Sequence, residues 1–369
     1  MRLASFNVEN LFARAKVLDL PEKEAGPLLK AYSALSTLLA GTTYSAADKT
    51  KILAHLGVLG LVVGDQGPYA RLRVSRGQLL RRPRSGDVVV VADGRGDWVG
   101  WVELITEAVD EKATEHTAMV IRDLDADVMG VVEAESRPTL KMFSEAMLLK
   151  VGAVPYEQVM LVDGNDDRGI DVGLLARKDF PLHCIRTHVF DADEQGVIFS
   201  RDCCGYHVET PSGESLVILV NHFKSKGYGQ PGESTARRKR QAARVAQIYR
   251  DLVEAGETFV AVVGDLNDDP TSDALAALIT GTDLTDISEH PSFDWNHRQG
   301  TYGGGGAKEK IDYVLLSPAL FAKATGGGVF RKGVWHGSRT RDPWDIYPTM
   351  TSEVQQASDH AAIYADLDL

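Results

Sequence analysis

The 369-residue sequence predicts an α/β (α+β) fold, and three observations carry that prediction. Short apolar runs such as Val260–Val263 and Leu216–Val220 have the length and β-branched content of buried strands. Longer stretches place apolar residues at helical spacing, as in Leu28, Leu29, Tyr32, Leu35, Leu38 and Leu39. Several strand candidates end in acids, amides or histidines, and ligands of α/β folds collect beyond strand ends.

The stretch Val260 to Pro270 is the most informative. Its apolar run leads to Gly264, which reads as the strand end, followed by Asp265 and Asn267. Two residues apart on an extended backbone, these side chains share one side, one an acceptor and the other both donor and acceptor. The pair serves either as an Asx-turn closing a strand or as oxygen ligands for a hard cation, a water or a phosphate. Four further strand candidates have the same form. Leu3 to Phe6 run into Asn7, Val128 to Val132 into Glu133, and Leu216 to Val220 into Asn221 and His222, while Ser358-Asp359-His360 precede Ile363 and Tyr364.

Other segments take their places between these. Ser45 with Asp48 reads as a capping box opening a helix over 46–56, after a first helix ended by Gly41. Strand patterns follow at Leu72-Arg73-Val74, Asp87 to Val91 and Trp98 to Ile105. Thr114 to Asp125 is an amphipathic helix leading into the Glu133 strand. Gly164 to Gly169 is a turn carrying Arg168, and Arg201 ends another strand candidate; each is either a substrate contact or a surface arginine. Lys224 and Lys226 follow His222 closely enough to meet a phosphate. The run Arg237-Arg238-Lys239-Arg240 opens a helix through Leu252 and reads as a solvated face. Gly303 to Gly306 form a mobile loop on the substrate side, without a phosphate-cradling motif. Trp335, His336, Trp344 and Tyr347 either pack under a late loop or stack on a base.

A balance of 40 Lys and Arg against 52 Asp and Glu gives a net charge of −12, so the whole chain is not an electrostatic glove for nucleic acid. Local basic patches have to carry any such role. No run approaches the eighteen or so apolar residues of a membrane span, and the first strand candidate begins at once without an apolar leader. The expectation is a cytoplasmic protein with no membrane association and no obligate protein partner. Three cysteines, Cys184, Cys203 and Cys204, argue against a disulfide framework and read as structural thiols.

Six stretches, taken together and in order, resemble the endonuclease/exonuclease/phosphatase superfamily, the metal-dependent phosphoesterases related to exonuclease III and pancreatic deoxyribonuclease. They are Ser5-Phe6-Asn7-Val8-Glu9-Asn10, Asp127 to Glu133, Val220-Asn221-His222-Phe223, Gly264-Asp265-Leu266-Asn267, Lys310-Ile311-Asp312-Tyr313-Val314-Leu315 and Ser358-Asp359-His360. The resemblance spans the chain and implies a single catalytic domain over 1–369, a four-layer sandwich of two packed mixed β-sheets flanked by helices. It also makes residues 14–112, a helical pair plus β meander after the first strand, an inserted lobe.

The same resemblance implies the roles. His360 meets the scissile phosphate and is oriented by Asp312. Asp265 activates or aligns the water, Asn267 binds a phosphate oxygen, and His222 serves the leaving-group side as donor or general acid. Glu133 is the principal ligand of a magnesium ion, with manganese able to substitute and with Asn7 and Asp359 completing the shell. The family spans nucleases, sphingomyelinases and inositol phosphatases, so the substrate follows from the loops. Clusters of Arg and Lys favour nucleic acid over a small-molecule or lipid phosphoester, and the completeness of the set argues against an inactive binding module. Within the insertion, Arg71, Arg73, Arg76, Arg81, Arg82 and Arg84 either extend the path of a polyanion beside the cleft or form a solvated face.

Overall fold

The computed structural model describes the chain except Asn10, Phe12, Pro21, Val109, Asp167, residues 227–230 and residues 338–342. Asn10 and Asp167 of the motifs above therefore lie outside the described residues. Packing divides the chain into two units, one made chiefly of Ala13–Ala108 and the other of the flanking sequence.

The larger unit holds two mixed sheets. One has seven strands in the order Phe293–Asp294, Ala324–Phe330, Ala362–Leu367, Arg2–Asn7, Val128–Ala134, Asp171–Ala176 and Gln158–Val162. The other has six, in the order Leu182–Arg186, Cys203–Glu209, Ser215–His222, Phe259–Asp265, Asp312–Leu316 and Thr285–Asp286. Period-two alternation explains the layering. In Ser215–His222, Leu216, Ile218 and Val220 enter the core between the sheets, while Val217 and Leu219 pack on the Pro231–Glu254 helix through Val245, Ala246 and Tyr249. In Val128–Ala134, Met129 and Val131 instead face Val120, Ile121 and Leu124 of the Glu111–Leu124 helix. The result is helix, sheet, sheet, helix, the four layers that the family resemblance implies.

The smaller unit has its own core. Helices Glu22–Leu39 and Ala46–Val58 bury Tyr32, Leu35, Ile52 and Leu56 with Leu72, Trp98 and Val102 of the two-stranded ribbon Ala70–Gly77/Trp98–Leu104. Trp98 donates its indole N–H to the Tyr44 hydroxyl at 3.0 Å, which satisfies the buried polar edge of the ring. Ser45 and Asp48 form the capping box at the start of the second helix.

Gly264 does not end its strand, which runs on to Asp265. The residue has φ +131°, and a Cβ there would fall on the carbonyl group of Asn221 in the adjacent parallel strand. Close approach of two strand ends, rather than chain termination, demands the glycine. Gly264→Ala is expected to destabilise the protein by about 2–4 kcal/mol, from backbone strain plus overpacking. A urea or thermal melt within 0.5 kcal/mol of the parent, on the order of error for a neutral change, would refute that reading.

Candidate active site

Strand registers bring the polar strand ends together. In the six-stranded sheet, His222 pairs with Asp265 and Asp265 with Asp312, so three titratable side chains stand abreast on neighbouring strands. In the seven-stranded sheet, Arg2–Asn7 runs parallel to Val128–Ala134 and antiparallel to Ala362–Leu367, which puts Asn7 beside Glu133 and the residues just before Ala362. The sheets then meet across the core edge. His360 Nδ1 lies 2.9 Å from Asp312 Oδ2, and Asn7 Nδ2 lies 3.4 Å from Asp265 Oδ2.

Around His360, carboxylates outnumber cations. Asp265 Oδ2 is 3.9 Å and Asp359 Oδ1 3.8 Å from its Nε2. Burial disfavours the charged ring, but Asp312, Asp265 and Asp359 outweigh it and hold the His360 pKa well above the ordinary histidine value. Asp265 is raised above the carboxylate range by burial; Asp312 and Glu133 add to the rise, and the His360 charge and the Asn267 N–H oppose it. His222 behaves oppositely. Burial, with Arg201, Arg168 and His360 nearby, depresses its pKa well below 6.5 and keeps the ring neutral. Its Nε2 lies 3.7 Å from Glu133 and 3.6 Å from Asp265.

Asn267 departs from the sequence reading. Its φ of +56° takes the chain out of the extended conformation, and its N–H closes an Asx-turn on Asp265 Oδ1 at 2.8 Å. Nδ2 donates to Asp265 Oδ2 at 3.0 Å and to the Phe223 carbonyl at 3.2 Å. With both amide hydrogens engaged, Asn267 holds Asp265 in place rather than presenting a donor to a phosphate. The two readings of this motif are therefore compatible, because the Asx-turn itself builds the site.

Donor chemistry bears on the cation. Asp265, Asp312 and His360 lie within ligand range of one another, but the surrounding carboxylates raise the ring's pKa and so favour its protonated form, which has no lone pair to give a metal. Glu133 suits one better. Its carboxyl receives no hydrogen-bond donor among the described residues beyond the distant His222 ring, and burial raises its pKa against the pull of Arg168, His360 and Arg201. Such a carboxylate, with the amide oxygen of Asn7 and the one-third-exposed Asp359, is an all-oxygen set of the kind hard divalent cations take. Glu9, which the sequence reading left unassigned, accepts the Asp359 N–H at 3.0 Å and so positions it.

A cationic group borders Glu133 and His222. Asp166 bridges Arg168 Nη2 at 2.9 Å and the buried Arg201 Nε at 2.8 Å, and these guanidiniums hold its pKa far below normal despite burial. Burial, Arg201 and Arg168 push Lys224 down to about 8. The basic helix run is not a solvated face. Arg238 is buried, binds Asp268 at 3.0 Å and donates to the Lys224 carbonyl at 2.9 Å, while Gln241 accepts the Lys224 N–H at 2.9 Å. Arg238 and Gln241 went unrecognised because their partners are remote in sequence, and Asp166 because one of its two arginine partners, Arg201, is. Trp344 and Tyr347 are packed in the interior, and Gly303 is tied by its N–H to the Asp359 carbonyl at 2.9 Å.

The Asp312–His360 contact makes a sharp prediction. His360→Ala should cost about 10²–10⁴-fold in turnover, and Asp312→Ala added to it should cost nothing further, because Asp312 acts through the ring. Penalties that multiply in the double mutant would show independent action.

The model of the Endonuclease/Exonuclease/phosphatase family matches residues 100–327. No curated protein matches the sequence. Among solved structures, a mannosyl-6-phosphatase from Bacteroides thetaiotaomicron VPI-5482 is 18% identical, with 70% of this chain and 92% of that one covered and a TM-score of 0.52. An endonuclease/exonuclease/phosphatase family protein from the same species is also 18% identical, with coverage of 69% and 86% and a TM-score of 0.51. A third from Bacteroides vulgatus is 17% identical, with coverage of 70% and 91% and a TM-score of 0.50. At these identities the structures speak for the fold alone, but the family model covers more than half the chain, and the protein belongs to the endonuclease/exonuclease/phosphatase family of phosphoester hydrolases.

Proposed function

We propose that the protein is a magnesium-dependent phosphodiester hydrolase acting on nucleic acid. The observation that carries this reading is the opposition of two groups at one sheet edge. An acid-rich cluster, Asp265, Asp312 and His360, adjoins a cation-rich one, Arg168, Arg201 and Lys224, with Glu133 and His222 between their influences. A phosphodiester needs both, a base for the water and positive charge for the phosphate.

Each residue has a role matched to its state. Asp265, with a raised pKa and a carboxylate fixed by Asn267, accepts the proton of the attacking water. His360, held charged and oriented by Asp312, donates to a phosphoryl oxygen. His222, neutral at physiological pH, donates one hydrogen bond on the leaving-group side, which favours the donor role over that of a general acid. Magnesium, or manganese in its place, would be held by Glu133 with Asn7 and Asp359 and would relieve charge at the phosphoryl and leaving oxygens. Arg168, Arg201 and Lys224 take the neighbouring anionic oxygens. A polyanion is favoured by the gathering of three cations, Arg168, Arg201 and Lys224, beside Glu133 and His222.

The test is turnover with magnesium on plasmid DNA, RNA, bis-p-nitrophenyl phosphate and phospholipid head groups. DNA or RNA is expected to be cleaved fastest; preference for a small or lipid phosphoester overturns the substrate assignment. Glu133→Gln should reduce turnover on the order of 10³-fold with the melting temperature unchanged or raised, since a desolvated charge is removed. Chelation should do the same and be reversed by magnesium. Undiminished activity of Glu133→Gln would sink the ligand assignment.

Lys224 gives a pH signature. As pH rises through about 8 the ammonium loses its proton and with it the attraction for phosphate, so kcat/KM should fall on the alkaline side. Lys224→Arg keeps its charge and should remove that limb. An identical alkaline limb in the variant would assign the titration elsewhere.

A further inference from the structure

We propose that the outer face of the ribbon formed by Ala70–Gly77 and Trp98–Leu104 binds single-stranded nucleic acid, with Trp101 as a base-stacking platform and Arg71, Arg73 and Arg76 along the phosphate backbone. This deepens the nuclease reading and rests on it, but the observations belong to the inserted unit alone.

The ribbon is two-faced. Ala70, Leu72, Trp98 and Val102 are buried in the core of the unit, and the residues between them point the other way. On that outer face the cross-strand pairs are Arg71 with Glu103, Arg73 with Trp101, and Arg76 with Val99. Three arginines therefore line one strand. Strict alternation would turn Arg76 inward, since it stands three residues after Arg73. The register shift between Val74 and Arg76 inserts one extra residue and returns Arg76 to the outer face opposite Val99. Bulges re-aim side chains in this way, and here the outcome is a continuous cationic stripe.

Beside the stripe, Trp101 is 51% exposed and Val99 36%. A tryptophan so open has lost the burial that usually justifies the residue. Glu103 holds it without covering it. One carboxylate oxygen accepts the Trp101 indole N–H at 3.4 Å, and the other meets Arg73 Nε at 2.7 Å and Arg71 Nη1 at 3.6 Å. One acid against three arginines orders the stripe rather than neutralising it.

Charge selects the occupant. Residues 66–86 contain six arginines and no acid, in a chain whose net charge is −12. Arg82 is structural, binding the carbonyls of Val62 at 2.7 Å and Leu61 at 2.9 Å and the Asp65 carboxylate at 2.8 Å. Arg76, Arg81 and Arg84 are exposed with no ion pair or hydrogen bond among the described residues. A flat indole flanked by arginines a strand-spacing apart matches unstacked bases on a polyanionic backbone, the combination by which single strands are bound without sequence preference. An outer ribbon face with one aromatic offers no pocket for an apolar protein anchor.

The test uses the whole 369-residue chain in chelator, so that binding is read without turnover, with fluorescein-labelled 20-nucleotide poly(dT) and poly(U) at several salt concentrations. Trp101→Ala is expected to weaken binding about 10-fold and Trp101→Phe to retain most of it. Arg76→Ala should lower the slope of log affinity against log salt by about 0.7, and Arg76→Lys should restore it. All four variants should hydrolyse bis-p-nitrophenyl phosphate with magnesium as the parent does. If Trp101→Ala and Arg76→Ala bind both polymers like the parent while the parent cleaves nucleic acid, the ribbon proposal is overturned and the nuclease reading stands. If the variants lose small-substrate turnover equally, the ribbon supports the fold and the proposal fails. If neither polymer is bound or cleaved while the small phosphodiester is hydrolysed, the nuclease reading itself has failed. Equal weakening toward poly(dT) and a poly-glutamate competitor would mark a general polyanion site and overturn the base-stacking role.

Discussion

The buried hydrogen bond between Asp312 and His360 is the constraint on which the rest of the site depends. The two residues stand at the edges of different sheets, so their 2.9 Å contact requires the whole sandwich to be in register. Local bonds hold both partners. The Thr301 hydroxyl accepts the Asp312 N–H at 3.1 Å, and the Thr301 carbonyl accepts the Ala361 N–H at 2.7 Å. The Tyr302 ring then sits 4.9 Å from the His360 ring. One short segment thus locks the acid, the imidazole and the face of the imidazole together. A charged ring among carboxylates is tolerable in the interior because each charge has a partner within reach.

Among the described residues, three of the six non-glycine residues with positive φ lie at the same edge. Glu9, Glu133 and Asn267 have φ of +47°, +68° and +56°, a region costly to residues with a Cβ. Such conformations cost about 1–3 kcal/mol each and persist where surrounding bonds over-determine them. The Glu9 N–H is held by Asn7 Oδ1 at 3.1 Å and the Asn267 N–H by Asp265 Oδ1 at 2.8 Å. Polar side chains two residues earlier therefore fix the backbone that aims the next functional group. Stability is given up at the strand ends and supplied by the apolar layers behind them.

The arginines divide by partner rather than by sequence cluster. Arg168 and Arg201 are spaced by a shared Asp166, and Arg238 ties the Lys224 segment to the Asp268 segment. Those four cations organise the loops after strands from the six-stranded sheet and its neighbour. In the inserted unit Arg82 closes a turn by binding carbonyls, whereas Arg76, Arg81 and Arg84 face solvent. Adjacent arginines in one basic run can thus be a structural clamp and a free charge.

Sequence alone determined the class of fold and most of the polar residues that stand at the strand ends, because both follow from local pattern. A buried strand must be apolar and must end, and the residue types at five such ends were already those of phosphoester chemistry. The capping box at Ser45 was legible for the same reason, since its donor and acceptor are three residues apart. What remained for the tertiary structure was everything set by partners distant in the chain. The extension of a strand through Gly264 depends on the approach of Asn221, the engagement of the Asn267 amide on the Phe223 carbonyl, and the opposite pKa shifts of His222 and His360 on which charges surround each ring. The sequence showed six arginines clustered between Arg71 and Arg84. Only a bulge at Ser75 decided that Arg71, Arg73 and Arg76 share a face with Trp101, because a strand's two faces are told apart by register and not by composition.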